Sequence, residues 1–465
     1  MADDGTAEKP GFWWGPGGGR EVLALGVPLI LSHGSFALQT FVDRLFLAWY
    51  SAEALAGAVA ANFSTWAVIS LFLGTAEYLT TFVAQYLGAG RPGRIGAALW
   101  QGVYFSLGAG LLIAALSPLA GPFFAAAGHA TGVMATEVAY STVLLHGGWA
   151  ILLFATLSTF FSGRGETRMV LFANLVATAV NIGLDYCWIF GNLGFPRWGA
   201  AGAARATIVS QVAGALFLLV PILSRRNRGR HNTLTAWRFD RDLFGRLLRF
   251  GLPSGVTYSL EVSAFALFLL MIGRLGTTPL AASSLAFALN LIVFIPMLGL
   301  GVAVSSLVGR HLGAGDPRHA ERAAWSAFRI SLVYMAACGV LYVFAPGLLL
   351  APYASGADPI EFAGIAQTAT VLLRFVALYS IFDMMNVIFA AGLKGAGDTQ
   401  YPLHCTVGLA CTVLLPPTYL LCFVFQLGVY AAWACATAYV VLLGLLMIAR
   451  FRKGGWKVLR VIENA

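Results

Sequence analysis

The 465-residue sequence predicts an all-α polytopic membrane protein: twelve transmembrane helices in two pseudo-symmetric six-helix lobes, related as a parallel repeat. Three observations carry that prediction: an apolar composition, twelve long apolar runs, and motifs that recur about halfway along the chain. Hydrophobic residues make up 59% and charged residues 11%, against roughly 25% charged in a soluble domain. So few charges cannot cover a soluble protein of this size. A mean hydropathy of +0.79 agrees. These values exclude a soluble enzyme, a disordered chain and a nucleic-acid binder. The net charge of +9 then reads as basic loops on the cytoplasmic side of a bilayer.

Residues 1–21 hold Asp3, Asp4 and Glu8, then Trp13, Trp14 and a Gly-rich run. They lack the basic start, apolar core and cleavage site of a signal peptide, and read as a cytoplasmic tail. A spanning helix needs about 20 mostly apolar residues. Spans 1 to 6 are expected at 22–49, 55–87, 94–122, 132–162, 169–191 and 200–223, making a first lobe over 22–223. A basic linker covers 224–243. Spans 7 to 12 are expected at 244–273, 279–308, 320–350, 362–392, 400–426 and 428–449, making a second lobe over 244–450 and leaving 451–465 as a cytoplasmic tail. The breaks carry Gly, Pro or charge, and such long runs without period-2 alternation do not suit a membrane barrel. Arg91, Arg94, Arg164, Arg168, Arg310, Arg318, Arg322 and Lys394 all fall in even-numbered breaks, as does the Arg225–Arg241 cluster. The odd breaks hold only Arg197 and Arg274. The positive-inside rule therefore puts both termini and the linker in the cytoplasm, with the chain in the cell membrane.

The repeat is visible in three pairs at one offset of 225 residues. Gly26-Val27-Pro28 matches Gly251-Leu252-Pro253, and Leu55-Ala56 matches Leu280-Ala281. Leu87-Gly88-Ala89-Gly90-Arg91-Pro92 matches Leu312-Gly313-Ala314-Gly315-Asp316-Pro317. Gly163-Arg164-Gly165-Glu166-Thr167 matches Gly395-Ala396-Gly397-Asp398-Thr399 at an offset of 232. An even number of spans per lobe gives both lobes one orientation, and two such lobes suit alternating access around a central cavity. The six cysteines lie in apolar runs without metal-like or CxxC spacing, as small hydrophobes do. No GxxxxGK[ST] phosphate loop occurs, and the linker is too short for an ATPase domain. Neither a cofactor nor an ATPase subunit is expected; the energy source is then an ion gradient or an external partner, and a monomer is expected.

These features resemble the multidrug and toxic compound extrusion family. The resemblance covers about residues 20–450 and rests on Phe41-Val42-Asp43, the duplicated LGAG turns, Asn181 and Asp185, and Gly392-Leu393-Lys394-Gly395-Ala396-Gly397-Asp398-Thr399. It implies efflux of amphipathic organic cations driven by inward Na⁺ or H⁺. Lipid-linked precursor flippases share the wider superfamily.

Ionisable residues inside a span are costly and mark function. Asp43, Glu77, Asp185, Glu261 and Asp383 are the acidic ones, Arg44 and Arg374 the basic ones. Asn181 and Asp185 share a helix face at i, i+4. Asp43 and Asp185 both lie in the outer half of the first lobe, so the two carboxylates and the amide can hold Na⁺, or else share a proton. The resemblance makes these positions the first-lobe cation site and adds Thr207. Glu261 and Asp383 each lie about 17 Å of helix from the cytoplasmic side, and they match second-lobe cation-binding carboxylates of the NorM-type branch. Arg44 and Glu77 depart from the family pattern. An ion pair between spans 1 and 2 is expected of them, with Arg44 turned toward Asp43 as the alternative. Arg374 is expected at the outer interface. Tyr140, His146, Tyr258, Phe287 and Tyr379 are candidates to line a cavity for a cationic substrate, whose charge the aromatic faces attract. A flippase would need a basic cavity, whereas these span interiors are more acidic than basic. Export of a specific endogenous metabolite is the remaining alternative, and the residues permit either Na⁺ or H⁺.

Overall fold

A computed structural model describes residues 11–354 and 359–463, with side chains of 354–361 left aside. Every regular element among the described residues is helical. Twelve helices are long and apolar enough to cross a membrane. The first lobe holds α1 (Gly19–Tyr50), α2 (Ala52–Gly88), α3 (Gly93–Ala127), α4 (Thr131–Ser162), α5 (Thr167–Phe190) and α6 (Ala200–Ile222). The second holds α7 (Arg241–Gly273), α8 (Thr277–Gly313), α9 (Pro317–Phe344), α10 (Phe362–Ala396), α11 (Gln400–Val424) and α12 (Gly428–Lys453). Helices dominate because lipid offers no partner to a backbone N–H or C=O, so each must be satisfied within its own segment.

Local chemistry explains the interruptions. The expected span 320–350 is shorter: α9 ends at Phe344, Ala345 leaves helical geometry, and Pro346 opens a separate short helix, Pro346–Ala354. A proline can start a helix but cannot donate to one already running. In α11, π-helical turns at Ala410–Leu414 and Leu420–Val424 flank Pro416 and Pro417, whose missing amides break the regular ladder. The first-lobe helix α2 is interrupted at Tyr78.

Packing follows the repeat. In the first lobe α1 packs on α5, α2 and α3 on α4, and α4 on α6. In the second, α7 packs on α11, α8 and α9 on α10, and α10 on α12. Between lobes α1 packs on α8 and α2 on α7, again a symmetric exchange. Both termini and the linker share one side, here termed the terminal face.

The seam closes at that face. A Cβ on Gly88 would lie 1.9 Å from the Arg310 carbonyl oxygen, and one on Gly313 would lie 2.2 Å from the Gln85 carbonyl oxygen. Both pairs obey the offset of 225, so the pseudo-twofold axis runs between the two turns, and only glycine permits that approach. Tyr78 donates to the Lys394 carbonyl (2.9 Å), Gln85 to the Gly395 carbonyl (3.0 Å) and Ser306 to the Ser162 carbonyl (3.1 Å). Among the described residues, no interlobe hydrogen bond lies nearer the opposite face than that of Ser259 to the Ala67 carbonyl.

The linker is folded rather than trailing. Its helix Arg225–His231 is anchored by Arg164, whose guanidinium donates to Asn227 (2.9 Å), lies against His231 and stacks 4.0 Å over Phe160. Trp100 and Gln101 of α3 donate to the carbonyls of Thr233 and Arg238.

Candidate functional site

In the first lobe the structure brings Asp43, Asn181 and Asp185 together. Asn181 and Asp185 are fully buried one turn apart on α5, and Asp43 is half-buried on α1 opposite them. With its nitrogen toward the carboxylates, the Asn181 amide donates to Asp43 Oδ1 at 2.9 Å and to Asp185 Oδ2 at 3.1 Å. The two carboxyl groups are themselves within hydrogen-bonding reach. Asp185 Oδ1 is buried without a partner, an acceptor left open inside the lobe. Tyr140 of α4 is buried close enough to feel both carboxylates. Thr207 stands apart: its hydroxyl donates one turn back to the Ala203 carbonyl (3.1 Å) and makes no hydrogen bond to the three.

In the second lobe Glu261 of α7 and Asp383 of α10 lie within each other's field. Among the described residues neither makes a hydrogen bond or an ion pair. Tyr379, one turn before Asp383, is buried beside it. Tyr258 of α7 lies near both Glu261 and Glu77. Sequence reasoning missed Tyr439 of α12. Its hydroxyl is buried without a partner, and it sits in the field of both Glu261 and Asp383. An apolar run hides such a tyrosine, and only the packing reveals it. Lys394 was also missed, having been read as a loop charge. Its ammonium acts on Glu77 and Glu261 from the foot of α10.

The expected pairing of Arg44 with Glu77 is incorrect. Adjacent helices in this bundle run antiparallel, so equal depth requires equal distance from the turn that joins them. Arg44 lies six residues before the end of α1, whereas Glu77 lies 25 residues after the start of α2. At 1.5 Å per residue they sit near opposite ends of the bundle. Arg44 is exposed and acts on the adjacent Asp43, without an ion pair.

The aromatic candidates divide. Tyr140, Tyr258 and Tyr379 lie within the field of carboxylates. Phe287 instead stacks on Trp433 at 4.8 Å and packs edge-on to Phe265 and Phe268, as core. His146 bonds to the Thr142 carbonyl (2.8 Å) and to Ser117 of the preceding helix (3.2 Å), a tie within the lobe. Among the described residues no cluster of three or more His, Cys, Asp or Glu groups could hold a metal ion.

The MatE family model matches residues 28–187 and again 253–420. The chain belongs to the MatE family. The two matched stretches start 225 residues apart, the offset of the repeat. Among MatE relatives the chain is 26% identical over 451 residues to a probable multidrug resistance protein NorM of Thermotoga maritima, covering 96% of this chain and 94% of that protein. It is 30% identical over 398 residues to the protein of the same description in Xanthomonas axonopodis pv. citri, covering 83% and 84%. The fold matches a superfamily transporter from Pyrococcus furiosus with a TM-score of 0.85, 21% identity and coverage of 95% and 97%. It also matches a multidrug resistance MATE transporter described in its outward-facing conformation, with a TM-score of 0.84, 21% identity and the same coverage. The MatE chain is thus a membrane transporter and not an enzyme.

Proposed function

We propose that this MatE protein is a secondary antiporter that exports amphipathic organic cations in exchange for protons. One observation carries the reading: two carboxyl groups inside the first lobe, Asp185 fully buried and Asp43 half-buried, bridged by one amide. Two carboxyl groups within hydrogen-bonding reach need a positive charge between or upon them, because desolvation and mutual repulsion both oppose two bare anions. Two carboxyl groups this close can share one proton directly, and the Asn181 amide, with its nitrogen toward them, steadies the pair by donating to both. Export of multiple drugs is suggested by the names of the relatives; the acidic interior supports cationic cargo. The phosphate of a lipid-linked precursor would instead meet Glu77, Glu261 and Asp383.

In this reading a proton from outside is shared by the Asp43–Asp185 pair and cancels one of its two negative charges, and the change in charge favours closure at that face and opening at the other. Substrate then binds among Tyr258, Tyr379, Glu261 and Asp383 when the proton has left. The proton site and the substrate site lie in one chain, so a monomer suffices. The basic terminal face is cytoplasmic, in the cell membrane.

The test is uptake of a fluorescent organic cation into proteoliposomes under an imposed pH gradient or an imposed Na⁺ gradient, applied separately. Uptake is expected with the pH gradient and not with Na⁺. Uptake with Na⁺ alone would overturn the proton assignment, and uptake with neither would overturn organic-cation antiport.

A further inference from the structure

The seam at the terminal face is held by two acidic side chains, and they come from unequal places. Glu21, in the first turn of α1, pairs with Arg310 and lies 3.7 Å from His311 Nε2, holding the second-lobe turn to the first lobe. The offset of 225 maps Arg310 and His311 onto Gln85 and Tyr86 of the first-lobe turn. It maps Glu21 onto Arg246. Strict symmetry would therefore ask position 246 for an acid to hold Gln85 and Tyr86, and an arginine stands there.

The missing acid is supplied by the segment after α12. Beyond Lys453 the chain turns through Gly455–Val458 and runs beneath the seam, with Trp456 and Val461 fully buried. The Val461 amide donates to Gln85 Oε1 at 2.9 Å. Tyr86 donates to Glu463 Oε2 at 2.6 Å, and Arg94 Nε to Glu463 Oε1 at 3.0 Å. Arg91 donates to the Glu463 carbonyl at 3.0 Å. Arg246 itself donates to the Val461 carbonyl (3.3 Å), so the residue that displaced the symmetric acid helps to seat its replacement. Glu463 thus meets Tyr86 as Glu21 meets His311, across the same axis. Burial pushes the Glu463 carboxyl up, but the Tyr86 hydroxyl and the Arg94 and Arg91 guanidiniums outweigh it and hold the group below the usual carboxylate range.

We propose that Glu463 is a positioning residue of the transport cycle: the second of two pseudo-symmetric latches that hold the terminal face shut, and one that must release for the lobes to part there. This rests on the alternating-access reading of the previous subsection. The segment that carries Glu463 belongs to the second lobe by connection and binds the first lobe's α2–α3 turn, so parting the lobes breaks these bonds. Charge-assisted bonds are about twice as strong as neutral ones, so weakening this set shifts the balance between the two states.

The experiment is hydrogen exchange, read by mass spectrometry, on the full chain in lipid. The wild type is compared with Glu463→Gln, Tyr86→Phe and Glu21→Gln. Peptides covering 85–95 and 309–317 are expected to exchange up to about tenfold faster in each variant. Peptides at the opposite ends of α1, α2, α7 and α8 are expected to slow, because opening one face closes the other. Faster exchange at both faces would mean loosened packing only and would overturn the latch. So would unchanged exchange in Glu463→Gln and Tyr86→Phe. The reciprocal pattern is read without cargo, so a chain that showed it yet moved no organic cation would keep the latch and sink the antiporter reading.

Discussion

Asn181 is the residue on which the first-lobe site turns, because it is the one neutral donor to two acids. We predict that Asn181→Leu, which removes both bonds and fills the space, lowers proton-driven transport at least about tenfold and moves its pH profile, since each lost bond to a charged group is worth about 1.5–3 kcal/mol. Asn181→Asp should be worse, for it adds a third acid. Thr207→Ala is expected to change transport by less than about twofold, because its hydroxyl is satisfied by the Ala203 carbonyl within its own helix. The double exchange of Arg44→Glu with Glu77→Arg is expected not to rescue either single change, given the depth that separates them. Transport assays on these six variants, the two single exchanges and their double included, check all of these. The candidate acids themselves were legible in sequence, since any carboxylate in an apolar run is conspicuous. Adjacency of spans 1 and 2 in sequence does not put Arg44 and Glu77 at one depth, because the two helices run in opposed directions.

The elements owe their order to local rules that sequence displays well: apolar length, turn glycines and prolines. Ala345-Pro346 breaks one expected span for such a reason. The linker was less legible. Six arginines in Arg225–Arg241 carry no hydropathy signal for docking, yet Arg164 fastens the segment to the α4–α5 turn. We predict that Arg164→Ala costs about 1–3 kcal/mol by taking the donor away from Asn227 Oδ1 and from the buried His231 ring. Burial, helped by Arg164, Arg230 and Arg226, pushes the His231 imidazole down to about 4. Docking therefore favours the neutral ring. Its contribution to stability is complete above the ordinary value near 6.5 and is lost progressively as the pH falls toward 4. The thermal midpoint should fall between pH 7 and pH 5 in the wild type, and fall less in His231→Gln.

At the scale of the molecule the repeat organises everything but the chemistry. Gly88 and Gly313 approach each other's turns symmetrically, so Gly88→Val and Gly313→Val should disturb closure of the terminal face to the same degree, read as equal rises in exchange across 85–95 and 309–317. The acids do not repeat: Glu261 falls on the position of Phe36, and Arg246 on that of Glu21. The two lobes share a scaffold while one holds the bridged pair and the other an unpaired set. Matching turns made the scaffold readable from sequence, whereas Glu463 was not, because a tail residue acquires its role only from the surface it folds against.

Exchange of a proton for an organic cation at the Asp43–Asp185 pair can be followed as a flux. Proteoliposomes are loaded with an organic cation, no pH gradient is imposed, and internal pH is followed as the cation leaves down its own gradient. Protons are expected to move in as the cation moves out in the wild type, with no proton movement in Asp43→Asn or Asp185→Asn. Cation efflux without any pH change in the wild type, or an unaltered pH change in both variants, would contradict exchange at this pair.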